Sequence, residues 1–386
     1  MIDINMHNSS KGLYETIFNL ISSDKDNLPI NEIIDQSKER FFSLFSCSED
    51  DKNKIVKRVK NEMFGLGILD ELISDTSISE IMVNGYDKIY IEKEGKISKT
   101  NYSFFSDTTF LNMLERLISM QGGRLDESMP YIDTRLGDGS RINIIIPPAS
   151  LKTSHLTIRK FNNQRYDFNG LLQTNFFPDS LVSFLQNIII NEKNILISGN
   201  TGSGKTTLLN ALSEFIDDSH RIITIEDAAE LEIKKEHLIT LQSRKANIEG
   251  EGEITIRELL KNALRMRPDR IIVGECRGIE TLDMLQAMST GHNGSMSTVH
   301  ANSAYAALKR LEAIILLTEK INPRGLREYI AGSIDYVIHT ERSSKGSRKI
   351  AEIIEITGIE EDTIMYSKIF SNDLFKPELI QKFKCI

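Results

Sequence analysis

The sequence lacks the features that would place it in a membrane or cross-link it. No apolar run approaches the roughly 20 residues that a helix needs to cross a bilayer, and the stretches at 188–197 and 313–317 are short or interrupted by charge. The first residues show no basic segment followed by an apolar one, so we expect no secretory signal. The cysteines, Cys47, Cys276 and Cys385, have no CxxC or metal-binding spacing. These absences predict a cytoplasmic protein with reduced thiols that reaches a membrane only through partners.

An excess of positive charge is also missing. The formal net charge is −8, whereas chains that bind nucleic acid are more often basic. Nucleic acid is therefore disfavoured as the main partner. With 386 residues, 40% of them hydrophobic and 26% charged, the chain has the composition of a globular protein of two or three domains.

Hydrophobic periodicity divides the chain into three zones and a linker. Residues 1–48 show two helical patterns and form a predicted helical N-terminal extension. Residues 49–160 combine short strands with one amphipathic helix, which predicts a small α/β domain. Residues 161–168 are polar and aperiodic, as expected of a linker. Residues 169–386 alternate strand and helix, which predicts a mostly parallel sheet covered by helices.

Two local patterns refine the last zone. Thr255 and Glu258 have the spacing of a capping box at the start of a helix predicted at 256–266. The segments 349–356 and 363–369 are predicted to form a terminal antiparallel pair.

A glycine-rich loop follows the apolar strand predicted at 194–198. It reads Gly199-Asn200-Thr201-Gly202-Ser203-Gly204-Lys205-Thr206 and continues through Thr207 into a predicted helix. The glycines let successive backbone N–H groups point at a phosphate, and the start of the helix favours negative charge. Lys205 would bind β- and γ-phosphate oxygens, and the Thr206 hydroxyl would bind Mg²⁺. The pattern predicts a P-loop that binds ATP.

Two carboxylates follow predicted strands of the same zone. Glu226 follows the strand predicted at 221–225, and Glu275 follows the strand predicted at 270–274. Ligands of parallel sheets bind beyond the carboxyl ends of strands, where an acid can hold Mg²⁺ or orient the attacking water. Glu275 takes the place of a Walker B acid, although Gly274 stands where many P-loop enzymes have Asp. Which of the two carboxylates is the catalytic base stays open.

Two histidines and two arginines complete the candidate site. His292 and His300 lie in one glycine-containing segment and are candidates to contact the γ-phosphate, with structural imidazoles as the alternative. Arg135 and Arg141 flank a predicted tight turn. Arginine often reaches a transferring phosphoryl group from a neighbouring subunit, and a surface turn with solvated arginines is the alternative.

At these motifs the chain resembles the secretion ATPases of type IV pilus, type II and type IV secretion systems. The resemblance is greatest to the CpaF-type branch, which powers assembly of Tad (Flp) pili. It spans residues 65–370 and rests on the P-loop and on these segments: Ile-Met-Val-Asn-Gly at 81–85, Asp-Glu-Ser at 126–128, Asp-Gly-Ser-Arg-Ile-Asn at 138–143, Ile-Arg-Lys at 158–160, Ile-Glu-Asp-Ala-Ala-Glu-Leu at 225–231, Asn-Ile-Glu-Gly at 247–250, Asn-Ala-Leu-Arg-Met-Arg-Pro-Asp-Arg-Ile-Ile-Val-Gly-Glu at 262–275 and Ala-Met-Ser-Thr-Gly-His at 287–292.

The resemblance implies an architecture and a set of roles. The fold would be α/β, with a RecA-like P-loop ATPase domain, a smaller N-terminal α/β (PAS-like) domain and the helical extension. The protein would be a homo-hexamer that acts on an inner-membrane platform protein. Glu226 would activate water, and Glu275 would lie on the Mg²⁺ side and bind it partly through water. His292 and His300 would form the His box, and Arg135 and Arg141 would approach the nucleotide.

Some features depart from the family pattern, and other functions remain as alternatives. Cys276 stands where an aliphatic residue is expected, the four-cysteine zinc module of type II secretion ATPases is missing, and residues 1–48 match no part of the pattern. The alternatives are a DNA-transfer ATPase of the conjugation type and a nucleotide-gated assembly scaffold with little turnover. A GTPase is disfavoured because the sequence has no Asn-Lys-x-Asp motif, and a small-molecule kinase because no acceptor pocket is indicated.

Overall fold

A computed structural model describes residues 4–23, 29–44, 47–93, 95–120, 123–160, 166–244, 246, 251–343, 346–371 and 373–380. The chain divides into two compact units, Met1–Asn163 and Gln164–Ile386. Most of the predicted linker and the motif at 247–250 lie outside the described residues. The predicted domain boundaries remain predictions. Among the described residues, no helix combines the length and apolarity that crossing a membrane requires.

The first unit begins with helices, the first of which packs on the second and the third. They are α1 (Ile4–Ser23), α2 (Ile30–Phe42), α3 (Glu49–Phe64) and α4 (Leu69–Ser74). Ser48 caps α3 by accepting a hydrogen bond from the Asp51 N–H, as Ser commonly does at a helix start. Leu13 and Ile17 of α1 share an apolar cluster with Ile55 and Val59 of α3. The N-terminal helices, whose partner the sequence did not reveal, therefore pack against their own unit.

A six-stranded antiparallel sheet with one helix completes the first unit. Its elements are β1 (Ile78–Val83), β2 (Ile89–Lys93), β3 (Lys96–Lys99), α5 (Asp107–Met120), β4 (Tyr131–Arg135), β5 (Arg141–Ile145) and β6 (His155–Arg159). The strand order is β3-β2-β1-β6-β5-β4. The apolar face of α5 is buried against the sheet through residues such as Phe110, Leu114 and Leu117. The strands and the amphipathic helix predicted within residues 49–160 are present, and the same segment also contains α3 and α4.

The second unit alternates strands and helices. Its elements are α6 (Phe168–Gln173), a 3-10 turn (Asp179–Leu181), α7 (Val182–Ile190), β7 (Ile195–Gly199), α8 (Lys205–Ser213), β8 (Ile222–Glu226), β9 (Leu238–Gln242), α9 (Ile256–Ala263), β10 (Arg270–Val273), α10 (Glu280–Ser289), β11 (Met296–Val299), α11 (Ala304–Thr318), α12 (Pro323–Ser333), β12 (Tyr336–Arg342), β13 (Arg348–Glu360), β14 (Thr363–Ser371), β15 (Leu374–Phe375) and a 3-10 turn (Pro377–Leu379). Phe168, the last residue of the predicted linker, opens α6 and is buried.

The described strands of the second unit form one sheet in the order β15-β14-β13-β12-β7-β11-β10-β8-β9. The strands from β12 to β9 are parallel, whereas β13, β14 and β15 extend the sheet antiparallel. Both faces of the sheet are buried in large apolar clusters. The α/β class, the terminal antiparallel pair and the capping box of Thr255 and Glu258 are confirmed. Parallel strands end at the same edge of a sheet. The last residues of β7, β8, β10 and β11 therefore all lie at the carboxyl edge.

Candidate nucleotide-binding site

The glycine-rich loop leaves the carboxyl end of β7, between β11 and β12. Gly202 has φ +70° and Gly204 has φ +95°, which is a left-handed region that residues with a Cβ rarely adopt. Gly204 is the N-cap of α8, so the first N–H groups of the helix face the loop without partners inside the helix. This geometry presents donors and a helix dipole to an anion.

Gly199 is fixed by the neighbouring strand. A Cβ at this position would stand 2.4 Å from the backbone oxygen of Thr340 and 2.5 Å from the Ser203 Oγ. Only a residue without a side chain lets the loop begin so close to β12. Packing against β12 therefore requires glycine at the start of the loop.

Lys205 is folded back into the loop and is only 7% exposed. Its Nζ donates to the carbonyl oxygens of Gly199 at 3.0 Å and Asn200 at 3.1 Å. The same Nζ lies 3.5 Å from the His300 Nδ1. A buried ammonium needs such partners, and oxygen atoms of a phosphate can replace them when a nucleotide enters.

His300 connects this lysine to Glu275. Its Nε2 lies 3.1 Å from the Glu275 Oε1. Because the Lys205 ammonium can only donate, the His300 Nδ1 is the acceptor and Nε2 carries the proton that Glu275 accepts. The structure thus brings Lys205, His300 and Glu275, which are distant in sequence, into one hydrogen-bonded chain.

Arg277 holds the other side of Glu275. Its Nη2 donates to the Glu275 Oε2 at 2.7 Å, and its Nη1 lies 4.0 Å from the Asp227 Oδ2. The hydrogen bond to Glu275 raises the pKa of Arg277. The backbone N–H groups of Arg277 and Gly278 both donate to the Glu280 carboxylate at 2.7 Å, which fixes the loop. Glu275 is therefore oriented from two sides.

Glu226 ends β8 and is 3% exposed. Its Oε1 accepts the backbone N–H groups of Glu230 at 2.9 Å and Leu231 at 3.0 Å. A Cβ at Gly274 would stand 2.9 Å from the Glu226 Cγ and 3.3 Å from its Oε1. The glycine in the Walker B segment is thus explained by the Glu226 side chain, which occupies the space that an aspartate would fill.

This contact leads to a testable prediction. We expect Gly274→Ala to displace the Glu226 carboxylate and to lower ATP turnover by about 10- to 100-fold, because small misplacements of a catalytic group have effects of that size. Steady-state ATPase assays with circular dichroism as a check on folding would measure it. Gly332→Ala in α12 is the matched control, since an added Cβ meets nothing within 4 Å there. Equal turnover of the two variants would contradict the prediction.

The donor set suits Mg²⁺ shared with a nucleotide. Thr206, in the first turn of α8, is half-buried, and Glu275 supplies a carboxylate at the same sheet edge. Among the described residues, no group of three or more His, Cys, Asp or Glu forms a metal cage. Mg²⁺ usually binds through one or two protein oxygens together with phosphates and waters. Thr206 and Glu275 therefore fit a metal that arrives with its nucleotide.

The structure does not bring His292 to this edge. His292 precedes β11 and its carbonyl accepts the Ser295 hydroxyl, whereas His300 follows β11. The strand places the two histidines at opposite edges of the sheet. The prediction that both contact the γ-phosphate is therefore corrected: only His300 lies at the edge with the loop. Gly294, in the same segment, makes room for the buried Arg270, whose Nη1 would stand 2.2 Å from an added Cβ.

Arg135 and Arg141 lie in the first unit. They face each other across the β4–β5 hairpin, and both are half-buried. The predicted turn between them is confirmed, since the Leu136 N–H donates to the Ser140 carbonyl at 2.9 Å and Gly139 has φ +87°. Their contact with nucleotide stays a prediction.

Sequence reasoning missed residues of β12 that border the loop. The Thr340 Oγ1 lies 2.8 Å from the Ser203 Oγ, and the His339 Nδ1 lies 3.0 Å from the Ser198 Oγ. Burial lowers the pKa of His339, which favours its neutral form. No local motif marks these residues, because their position depends on β12 pairing with β7. Only the strand order could have indicated them.

Comparison with known proteins identifies relatives of the chain. The family model described as type II/IV secretion system protein matches residues 62–357. A putative conjugal transfer protein of Mycobacterium tuberculosis (strain CDC 1551 / Oshkosh) is 33% identical over 301 residues, covering 76% of this chain and 85% of that protein. The type IV secretion system protein VirB11 of Bartonella quintana (strain Toulouse) is 28% identical over 345 residues, covering 78% and 96%. The X-ray structure of the Legionella pneumophila ATPase DotB matches with a TM-score of 0.52 at 22% identity, covering 74% and 79%, which is a likeness of fold.

Proposed function

This chain belongs to the type II/IV secretion system protein family, and on that premise we propose that it is an ATPase that powers a secretion or pilus machine. ATP is hydrolysed at the loop of residues 199–206. The observation that carries the proposal is the hydrogen-bonded chain of Lys205, His300 and Glu275 at the carboxyl edge of the parallel sheet. It joins the phosphate-binding lysine to the metal-side carboxylate.

Each residue of the edge has a role in this proposal. Backbone N–H groups of the loop and of the start of α8 surround the phosphates. Lys205 exchanges the carbonyls of Gly199 and Asn200 for β- and γ-phosphate oxygens. Thr206 and Glu275 would hold Mg²⁺, which would neutralise phosphate charge. His300, between Lys205 and Glu275, responds to the presence of the γ-phosphate.

Glu226 is the proposed base. It is buried at the end of β8, and two backbone N–H groups hold one of its oxygens, so its carboxylate has a fixed direction. Glu275 is engaged by Arg277 and His300 and is better placed for the metal. Both roles need an ionised carboxylate. The division of roles rests on the partners of each group, since Glu275 is linked through His300 to the phosphate-binding Lys205.

We further propose that the second unit is RecA-like and that the first unit is a PAS-like N-terminal domain. The protein acts as a homo-hexamer in the cytoplasm, beside an inner-membrane platform protein. Arg135 and Arg141 of one subunit reach the nucleotide of its neighbour. The assignment to Tad pilus assembly rests on the CpaF-type motifs of the sequence. Hydrolysis drives a movement that the ring passes to the platform protein.

The ring can be tested by assembly and activity together. We expect ATPase activity per subunit to fall on dilution together with the mass measured by light scattering, because arginines from a neighbour complete each site. Mixing wild type with Arg135→Ala should lower activity more steeply than the mutant fraction. A stable monomer that turns over ATP at full rate would rule out the ring mechanism, although the P-loop assignment would remain. A simple proportional fall on mixing would remove the role of Arg135 in trans.

A second candidate function is favoured by the relatives. One is named a putative conjugal transfer protein and another a type IV secretion system protein. The chain would then power transfer of DNA by the same chemistry. Turnover stimulated by single- or double-stranded DNA at physiological salt would favour this function, whereas turnover indifferent to DNA would favour pilus assembly.

A further inference from the structure

Strand β12 pairs with β7, the strand that leads into the P-loop, and contacts the loop through Thr340. Thr340 pairs with Gly199 in the parallel register, and the Thr340 Oγ1 donates to the Ser198 carbonyl at 3.1 Å. The same Oγ1 lies 2.8 Å from the Ser203 Oγ inside the loop. These contacts are buried and leave little freedom between the strand and the loop. Residues that follow Thr340 are therefore held beside the phosphate-binding backbone.

Two arginines that follow Thr340 in the chain lie close to glycines of the loop. The Nη1 of Arg342 would stand 3.1 Å from a Cβ added to Gly202, and the Cδ of Arg348 would stand 3.7 Å from a Cβ added to Gly204. Arg342 and Arg348 are opposite each other in the β12–β13 pairing. Arg342 is half-buried and Arg348 is exposed. The Arg342 side chain thus lies against Gly202 of the loop. Arg348 lies near Gly204, where the Phe176 ring is closer, at 2.8 Å from the same added Cβ.

The carboxyl edge of the sheet is rich in acidic side chains, so an anionic ligand needs nearby cations such as these arginines. Glu226, Asp227 and Glu275 place carboxylates at the ends of β8 and β10, and Arg277 is already bound to Glu275. Lys205 provides the loop's own positive charge. A nucleotide triphosphate with Mg²⁺ is still an anion, so it needs further positive charge close to the loop.

We propose that Arg342, assisted by Arg348, binds the nucleotide phosphates from within the same subunit. The planar guanidinium of Arg342 can donate two parallel hydrogen bonds to phosphate oxygens, which an ammonium cannot do. These arginines act in cis, in contrast to the trans role proposed for Arg135 and Arg141. The inference rests on the proposed nucleotide site.

The test is a titration of the full-length protein with fluorescent N-methylanthraniloyl ATP and ADP in the presence of Mg²⁺. We expect Arg342→Ala to weaken the binding of both by about 10-fold or more, as for loss of a charge-assisted hydrogen bond. Arg348→Ala should weaken binding by about 2- to 3-fold, because an exposed charge contributes less. Inorganic pyrophosphate, used as a competitor, should lose affinity for Arg342→Ala by the same factor as ATP, since the contact is with phosphate.

Two further variants separate binding from structure. Arg342→Lys keeps the charge and should recover part of the affinity. Arg324→Ala is the matched control, because Arg324 is an exposed arginine of the same unit that pairs with Glu328 and lies near Asp362. Unchanged affinity in Arg342→Ala would overturn the inference alone. So would a loss of affinity for ATP that pyrophosphate does not share, because the contact would then not be with the phosphates. Failure of the wild type to bind nucleotide would overturn the proposed function as well.

Discussion

Replacing Lys205 with alanine is expected to lower ATP turnover by at least about 100-fold, since removal of one group that stabilises transition-state charge has effects of that size. The fold should persist. The Nζ of Lys205 donates to the carbonyls of Gly199 and Asn200, and Asn200 is exposed, so water can replace the lost donor there. The measurement is steady-state ATPase activity together with the melting temperature of each protein.

Two companion variants sharpen this prediction. Lys205→Arg keeps the charge, yet we expect it to be almost inactive, because a planar guanidinium does not fit the space that holds an ammonium between two loop carbonyls. Lys320→Ala, at an exposed lysine between α11 and α12, should behave as wild type. Full turnover by Lys205→Ala would show that hydrolysis occurs elsewhere and would remove the whole site assignment.

Replacing Glu226 with glutamine is expected to trap ATP on the protein and to reduce turnover by about 100-fold or more. The amide oxygen of glutamine can still accept the N–H groups of Glu230 and Leu231, which bind the Glu226 Oε1 in the native protein. The local shape is therefore retained, whereas the ability to take a proton from water is lost. Acid extraction and chromatography of the bound nucleotide would identify it as ATP rather than ADP.

The comparison with Glu275→Gln decides between the two carboxylates. Glu275 is bound by Arg277 and His300, so its neutralisation should weaken the Mg²⁺-dependent binding of ATP as well as turnover. Glu236→Gln, at an exposed position, serves as the control. If Glu226→Gln turns over ATP at nearly the normal rate while Glu275→Gln binds ATP without hydrolysing it, the base is Glu275. Full activity of both would leave neither with a catalytic role.

The sequence analysis did not distinguish the two histidines of the candidate site. His292 and His300 are eight positions apart and were predicted to act together. The strand between them, Met296–Val299, is buried and fully extended, and a strand rises about 3.3 Å per residue. One histidine is therefore carried to the carboxyl edge and the other to the opposite edge. The direction of the predicted strand contained this information, because only residues after a parallel strand reach the ligand edge.

The sequence by itself determined the features whose cause is local. The glycine loop between an apolar strand and a helix, the acids directly after strands, and the capping box of Thr255 and Glu258 all depend on neighbours within a few residues. Periodicity also determined the α/β class, because buried parallel strands are apolar throughout and alternate with amphipathic helices.

Only the tertiary structure decided which distant residues meet. Lys205, His300 and Glu275 form one chain because β7, β11 and β10 are neighbours in the sheet. Thr340 and Arg342 border the loop because β12 pairs with β7 across more than a hundred residues of sequence. Strand order depends on how all the apolar faces are buried together. It is therefore set by many non-local contacts, which no short segment of the chain determines.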